Sequence, residues 1–100
     1  MLFADLTDCA IGDAGAKALS VALCSANAPP LREVRLGGNM LGDAGAHSLA
    51  LALRRHTQLA TLQLERNAIG PDGAAALAAA LPLSASLRRL DLAHNRAAAR

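Results

Sequence analysis

The sequence predicts one α/β domain built as a right-handed solenoid, a horseshoe segment with a parallel inner sheet and outer helices. Three observations carry that prediction. A set of apolar, asparagine and glycine positions recurs at a fixed interval. The first half of each unit alternates with period two, and the second half repeats with helical period. Leu31, Val34, Leu36, Asn39, Leu41, Gly42 and Gly45 are answered 28 positions later by Leu59, Leu62, Leu64, Asn67, Ile69, Gly70 and Gly73. The series restarts at Leu87 with Leu90, Leu92 and Asn95. Self-similarity at such an interval marks a stacked repeat array. About three and a half copies fit, at 1–30, 31–58, 59–86 and a partial 87–100.

Residues 1–30 read as a degraded first copy. Leu6, Cys9, Ile11, Gly12 and Gly15 match Leu36, Asn39, Leu41, Gly42 and Gly45 at an interval of 30, and the two extra residues fall in the Ser25–Pro30 connection. Ala4 stands where the core has Val34, and Met1 where it has Leu31. Phe3 falls on a nominally outward strand position; the alternative is that it folds over the open end of the stack.

The segments Leu31–Leu36, Leu59–Leu64 and Leu87–Leu92 alternate. Val34 and Leu36, Leu62 and Leu64, and Leu90 and Leu92 point inward, while Arg35, Gln63 and Asp91 point outward, as in a strand with one buried face. Ala46, Leu49, Ala50 and Leu53 then fall at i, i+3, i+4 and i+7, as do Ala74, Leu77, Ala78 and Leu81, and in copy one Ala16, Leu19, Ser20 and Leu23. That spacing is an amphipathic helix. Gly12-Asp13 and Gly42-Asp43 supply capping residues at the helix starts, and Pro71 suits a first helical turn. The helices are expected to end before Pro29-Pro30, before Thr57 and at Pro82. Strands joined through helices favour right-handed crossovers.

Asn39, Asn67 and Asn95 follow each strand by the same step. An amide carries donors and acceptors, so the row is read as a structural ladder that satisfies backbone groups of its own and neighbouring copies. Cys9 holds the position in copy one and is expected to do the work more weakly. A ligand-binding asparagine row is the alternative.

Composition bounds the rest. The chain has 100 residues, a net charge of +2 and 53% apolar residues, but one aromatic, Phe3. With 25 Ala and 19 Leu, its core must rest on regularly spaced leucines rather than bulky rings. Cys9 and Cys24 are too few for a disulfide framework and read as reduced thiols in a cytoplasmic chain. No signal peptide is visible, and the Ala-rich run from Gly73 to Leu83 is too short to span a bilayer. Gly12-Asp13-Ala14-Gly15-Ala16-Lys17 lacks the spacing of a phosphate loop. His47 is expected on an outer helix, His56 on a return loop and His94 near the concave rim; they share no metal spacing with one another or the cysteines.

These residues resemble leucine-rich repeats of the ribonuclease-inhibitor-like class. Leu31 to Leu53 matches its pattern nearly throughout, with Val34 in one leucine slot. Leu59 to Leu81 matches with Pro71 in place of aspartate, and copy one from Leu6 on. The class includes the sensing arms of NOD-like receptors, ribonuclease inhibitor and the Ran GTPase-activating protein. The first two imply macromolecular binding through the concave sheet and adjacent loops. The third implies a GTPase regulator acting through a loop arginine, which no motif assigns to Arg66 or Arg96.

The resulting expectation is a non-catalytic protein-binding module without cofactor, metal, nucleic-acid or membrane partner; the alternative is a Ran-type GTPase-activating regulator. The expected contact surface is Asp5, Thr7 and Asp8; Glu33 and Arg35; Thr61, Gln63, Glu65 and Arg66; and Arg89, Asp91 and His94, with Gly37 and Gly38 leaving a gap in the middle. Its mixed charge favours a protein over nucleic acid, which would select a single-sign field and stacking aromatics. The last copy ends in Arg96-Ala97-Ala98-Ala99-Arg100, with Ala97 where Leu41 and Ile69 stand. The chain is therefore expected to be a fragment of a larger protein such as a NOD-like receptor, prone to end-to-end self-association, because solenoid ends need polar caps.

Overall fold

A computed structural model describes residues 2–25, 31–55, 58–84 and 86–96. Within them the chain runs β1 (Leu2–Asp5), α1 (Gly12–Cys24), β2 (Leu31–Arg35), α2 (Asp43–Arg54), β3 (Thr61–Gln63), α3 (Pro71–Ala80), a short 3-10 turn at Leu81–Leu83, and β4 (Arg89–Asp91). The four strands form one parallel sheet in chain order. Each helix lies between consecutive strands, so every unit is a β–α crossover. The architecture is the α/β solenoid that the period predicts.

Strand residues meet their repeat equivalents. Val34 pairs with Leu62 and Leu62 with Leu90; Arg35 pairs with Gln63 and Gln63 with Asp91. The extra length of copy one is absorbed outside the sheet, because Ala4 still faces Val34 and Asp5 still faces Arg35. The register shifts between Leu2 and Phe3, so Leu2 pairs with Leu31. Met1, expected opposite Leu31, lies outside the described residues, as do the expected breaks at Pro29-Pro30 and Thr57. The regular strands are shorter than the alternating segments, but inter-copy backbone bonds continue past them. The Leu36 N–H donates to Gln63 O at 2.8 Å, Leu64 N–H to Asp91 O at 2.8 Å and Gly38 N–H to Glu65 O at 3.1 Å.

The core is a stack of aliphatic rungs. Val34 and Leu62, Leu36 and Leu64, and Leu41 and Ile69 are wholly buried; Leu90, Leu92, Leu6 and Ile11 pack against them at the two ends with part of their surface exposed. Ala16, Ala46, Leu49, Ala50, Leu53, Leu77 and Ala80 supply the inward stripes of the helices. Small residues let neighbouring helices lie close side by side: a Cβ on Gly45 would stand 3.3 Å from Ala16 Cβ, and one on Gly73 2.9 Å from Ala46 Cβ. Ser20 sits among them in copy one, its hydroxyl donating to Ala16 O at 2.9 Å, which satisfies a buried polar group within its own helix. Burying a leucine side chain contributes about 1.5–3 kcal/mol, so this ladder dominates the folding free energy.

The asparagines stitch one copy to the next. Asn67 Oδ1 accepts from Asn39 N–H at 2.8 Å and Leu41 N–H at 3.0 Å, while its Nδ2 donates to Leu36 O at 2.9 Å and Leu64 O at 3.0 Å. Asn39 repeats the pattern one copy earlier, accepting from Cys9 and Ile11 and donating to Leu6 O. Asn95 accepts from Ile69 and donates to Leu64 O. Each asparagine thus serves the copy before it. Cys9 reaches only its own turn, its thiol bonding Thr7 O at 3.5 Å.

The aspartates differ from the expected own-helix caps. Asp13 Oδ1 accepts from Gly42 N–H and Gly45 N–H, both at 2.8 Å; Asp43 Oδ1 accepts from Gly70 N–H at 2.7 Å and Gly73 N–H at 3.0 Å. Among the described residues no α-helix is capped by a side chain at its own N-cap position. The carboxylate caps the first turn of the following helix instead, because adjacent helix starts lie side by side and Gly45 and Gly73 have no Cβ to block the approach. An added Cβ there would stand 2.6 Å and 2.7 Å from the capping oxygen.

Two measurements check these bonds. Asn67→Ala is expected to lower unfolding stability by about 1–3 kcal/mol in urea titration; an unchanged midpoint would contradict the amide's structural role. Asp13→Ala is expected to cost about 1 kcal/mol and to speed amide hydrogen exchange at Gly45, in the next helix, rather than at Gly15 in its own.

Candidate functional site

The outward face of the sheet presents two rows in register. One runs Phe3, Glu33, Thr61 and Arg89; the other runs Asp5, Arg35, Gln63 and Asp91. Alternation places them opposite the aliphatic ladder. Beyond the strand ends lie Thr7 and Glu65, half-buried, and Asp8, Arg66 and His94, exposed. Asp8, Gly38, Arg66 and His94 occupy equivalent turn positions, and all four adopt the left-handed region, with φ of 55°, 68°, 57° and 59°. Only Gly38 does so without a steric penalty. Thus the repeat's turn geometry aims three non-glycine side chains, Asp8, Arg66 and His94, along one rim.

Arg35 is the electrostatic centre. It pairs with Glu33 on its own strand and with Asp5 at 3.8 Å across β1, and its guanidinium lies 5.2 Å from the Phe3 ring centre. Phe3 is exposed on this face rather than folded over the end of the stack, because it takes the outward place on β1 beside Glu33, and the Arg35 cation lies against its ring. The bond and charge of Glu33 raise the Arg35 pKa above its ordinary value, with Asp5 and Glu65 adding to the effect. The Thr7 hydroxyl and N–H, donating to Asp5 at 2.6 Å and 3.1 Å, hold that carboxyl below the usual aspartate value, and Arg35 adds to the shift.

The expected gap at Gly37 and Gly38 is filled. The Glu65 carboxylate lies over Gly37, where an added Cβ would approach its Oε2 to 2.5 Å. Glu65 Oε1 is buried there without a hydrogen-bond partner. Over Gly38, Asp8 of copy one meets Arg66 of copy three at 3.3 Å. The missing side chain at Gly38 therefore lets the copies on either side touch across it, and the one at Gly37 makes room for Glu65. That contact was not legible in sequence, where 58 residues separate the partners. Nor was the Phe3–Arg35 stack, although the strand register that produces it follows from the repeat interval.

The remaining candidates stand apart. His47 is exposed on α2; His56 lies outside the described residues. Among the described residues no group of three or more His, Cys, Asp or Glu could hold a metal ion, and no helix is long and apolar enough to cross a membrane. Cys9 and Cys24 are free thiols.

Gly38→Ala is expected to cost about 1–2 kcal/mol in chemical denaturation, since it forces alanine into a left-handed turn and pushes Asp8 from Arg66. Asp8→Ala, which removes the exposed pair alone, is expected to cost less than about 1 kcal/mol.

The leucine-rich repeat family model matches residues 5–20, 27–50 and 56–78, well over half of the chain. Comparison with curated proteins finds no match. Repeats of this kind generally mediate protein–protein interaction and are typically non-enzymatic binding modules. The matched segments begin near the strands and run into the helices that the sheet and ladder organise, so sequence profile and fold agree: the chain belongs to the leucine-rich repeat family.

Proposed function

We propose that this chain is a protein-recognition module that binds its partner through the outward sheet face and the adjoining turns. The observation that carries the reading is the registered pair of rows across four parallel strands, centred on Arg35. A hydrogen-bonded sheet holds these side chains in place before binding, which limits the ordering cost on association. Arginine and aromatic residues dominate binding hot spots, and Arg35 stacked on Phe3 combines them. Left-handed backbone at Arg66 and His94 supports a demand on where those side chains point.

The finer setting belongs to the same proposal. The step from strand through asparagine to Gly-Asp and the helical stripe supports the ribonuclease-inhibitor-like class. A cytoplasmic segment of a larger protein, such as the sensing arm of a NOD-like receptor, is compatible with two free thiols. Immobilised chain should capture a protein partner that a triple variant, Arg35→Glu, Gln63→Arg and Asp91→Arg, loses by at least about tenfold in affinity. Equal capture by a folded variant would defeat the reading. The Ran-type alternative makes a separate demand: GTP hydrolysis by a small GTPase should accelerate when the chain is added. On our reading its rate stays unchanged.

A further inference from the structure

The convex side carries a surface that recognition through the sheet leaves unused. Between α1 and α2 runs a groove of about 440 Å³. Lys17, Val21 and Cys24 line one wall at i, i+4 and i+7 of α1; Ser48, Leu51 and Arg55 line the other at i, i+3 and i+7. The first wall is thus a single helical stripe; in the second, Ser48 and Leu51 share a stripe of α2 and Arg55 follows one residue past the helix end. Leu51 also borders a second groove, of about 410 Å³, between α2 and α3. Val21 is 66% exposed and Leu51 54%, although an outer helix ordinarily turns polar residues to solvent.

The charge on this side has one sign. From Ala14 to Ser25, from Ala44 to Arg55 and from Gly73 to Ser84 there is no Asp or Glu, whereas Lys17, Arg54 and Arg55 lie in those segments. Acids occur only in the first helical turns: Asp13, one turn before Lys17, and Asp43 are occupied as caps of their neighbours, and Asp72 lies in the first turn of α3, away from the groove. Among the described residues Lys17 and Arg55 make no ion pair. An apolar floor between two cations is complementary to a chain that is apolar on one side and acidic on its flanks.

We propose that this groove binds an acidic amphipathic helix of a partner protein, with its apolar stripe on Val21 and Leu51 and its flanking carboxylates on Lys17 and Arg55. Two parallel helices present a channel into which a third helix can set its side-chain ridge, the helix-in-groove mode of recognition. The lined stretch of α1, Lys17 to Cys24, rises about 10 Å and accommodates about two turns of a docked helix. A flat anionic bilayer fits less well, because basic membrane sites use about four to eight clustered cations, whereas Lys17 and Arg55 are the cations lining this groove. A second copy of the chain offers no such helix, since the only acids of α1, α2 and α3 lie in their first turns.

The test is fluorescence anisotropy of the full chain with a labelled synthetic helix of about four turns, carrying leucines on one stripe and glutamates beside it. A lysine-for-glutamate counterpart and phosphatidylserine–phosphatidylcholine vesicles serve as competing probes. The acidic helix is expected to bind saturably and to weaken at least about tenfold in Leu51→Glu. The double variant Lys17→Glu and Arg55→Glu should exchange preference and take the lysine helix, a reversal that unfolding cannot produce. The Arg35, Gln63 and Asp91 triple variant should bind the acidic helix as the unaltered chain does, which separates this site from the sheet face. No saturable binding, equal binding of both helices, no exchange of preference, loss in the sheet-face variant, or vesicle binding in place of helix binding would each overturn the proposal.

Discussion

The buried asparagine amide is the constraint around which the repeat is arranged. Where the chain leaves the sheet and turns toward its helix, backbone N–H and C=O groups enter the interior without strand partners, and each must be satisfied. An amide supplies acceptor and donors on one short side chain, and Asn67 uses both ends at once, toward Asn39 and Leu41 on one side and Leu36 and Leu64 on the other. An aspartate would set oxygen against the same carbonyls, and a leucine would leave the N–H groups orphaned. The aliphatic ladder supplies most of the driving force for stacking. The amide sets the register at which stacking occurs.

Two polar systems run along the array in opposite senses. Each asparagine serves the preceding copy, and each capping aspartate serves the following helix. An inner copy is therefore held from both sides. Copy two receives the Asp13 carboxylate at Gly42 and Gly45 and the Asn67 amide at Asn39 and Leu41. The sequence marks where each system weakens. Cys9 stands at the amide position and bonds only within its own turn, and Pro71 stands at the carboxylate position, where it has no acceptor to offer.

The fold was legible because its determinants are local and periodic. Val34 and Leu36 alternate and Ala46 to Leu53 follow the helical interval; in the next copy Leu77 keeps its inward place, but Ala78 is exposed and Leu81 falls in the 3-10 turn past α3, with Ala80 buried instead. The concave rows followed from the same alternation, and with them Glu33, Arg35, Gln63 and Asp91. Connections between side chains were not legible. Asp43 beside Gly42 has the local look of an N-cap for its own helix, and only the lateral placement of helix starts redirects it to Gly73. Gly37 and Gly38 read as an empty place, whereas the space is taken by Glu65 and by Asp8 with Arg66. Mixed charge was visible; which charges neutralise one another depended on how the strands bring side chains together.

Solenoid stability is ordinarily approximated as a chain of intrinsic terms plus couplings between adjacent units. The meeting of Asp8 and Arg66 over Gly38 lies outside that scheme, because copies one and three touch directly. The contact is exposed and worth less than about 1 kcal/mol, and it runs over the open place that Gly38 leaves in the middle unit. Any side chain at Gly38 intrudes on it. A one-dimensional Ising treatment of truncations in this array therefore requires a next-nearest-neighbour term, switched by the identity of the residue in between.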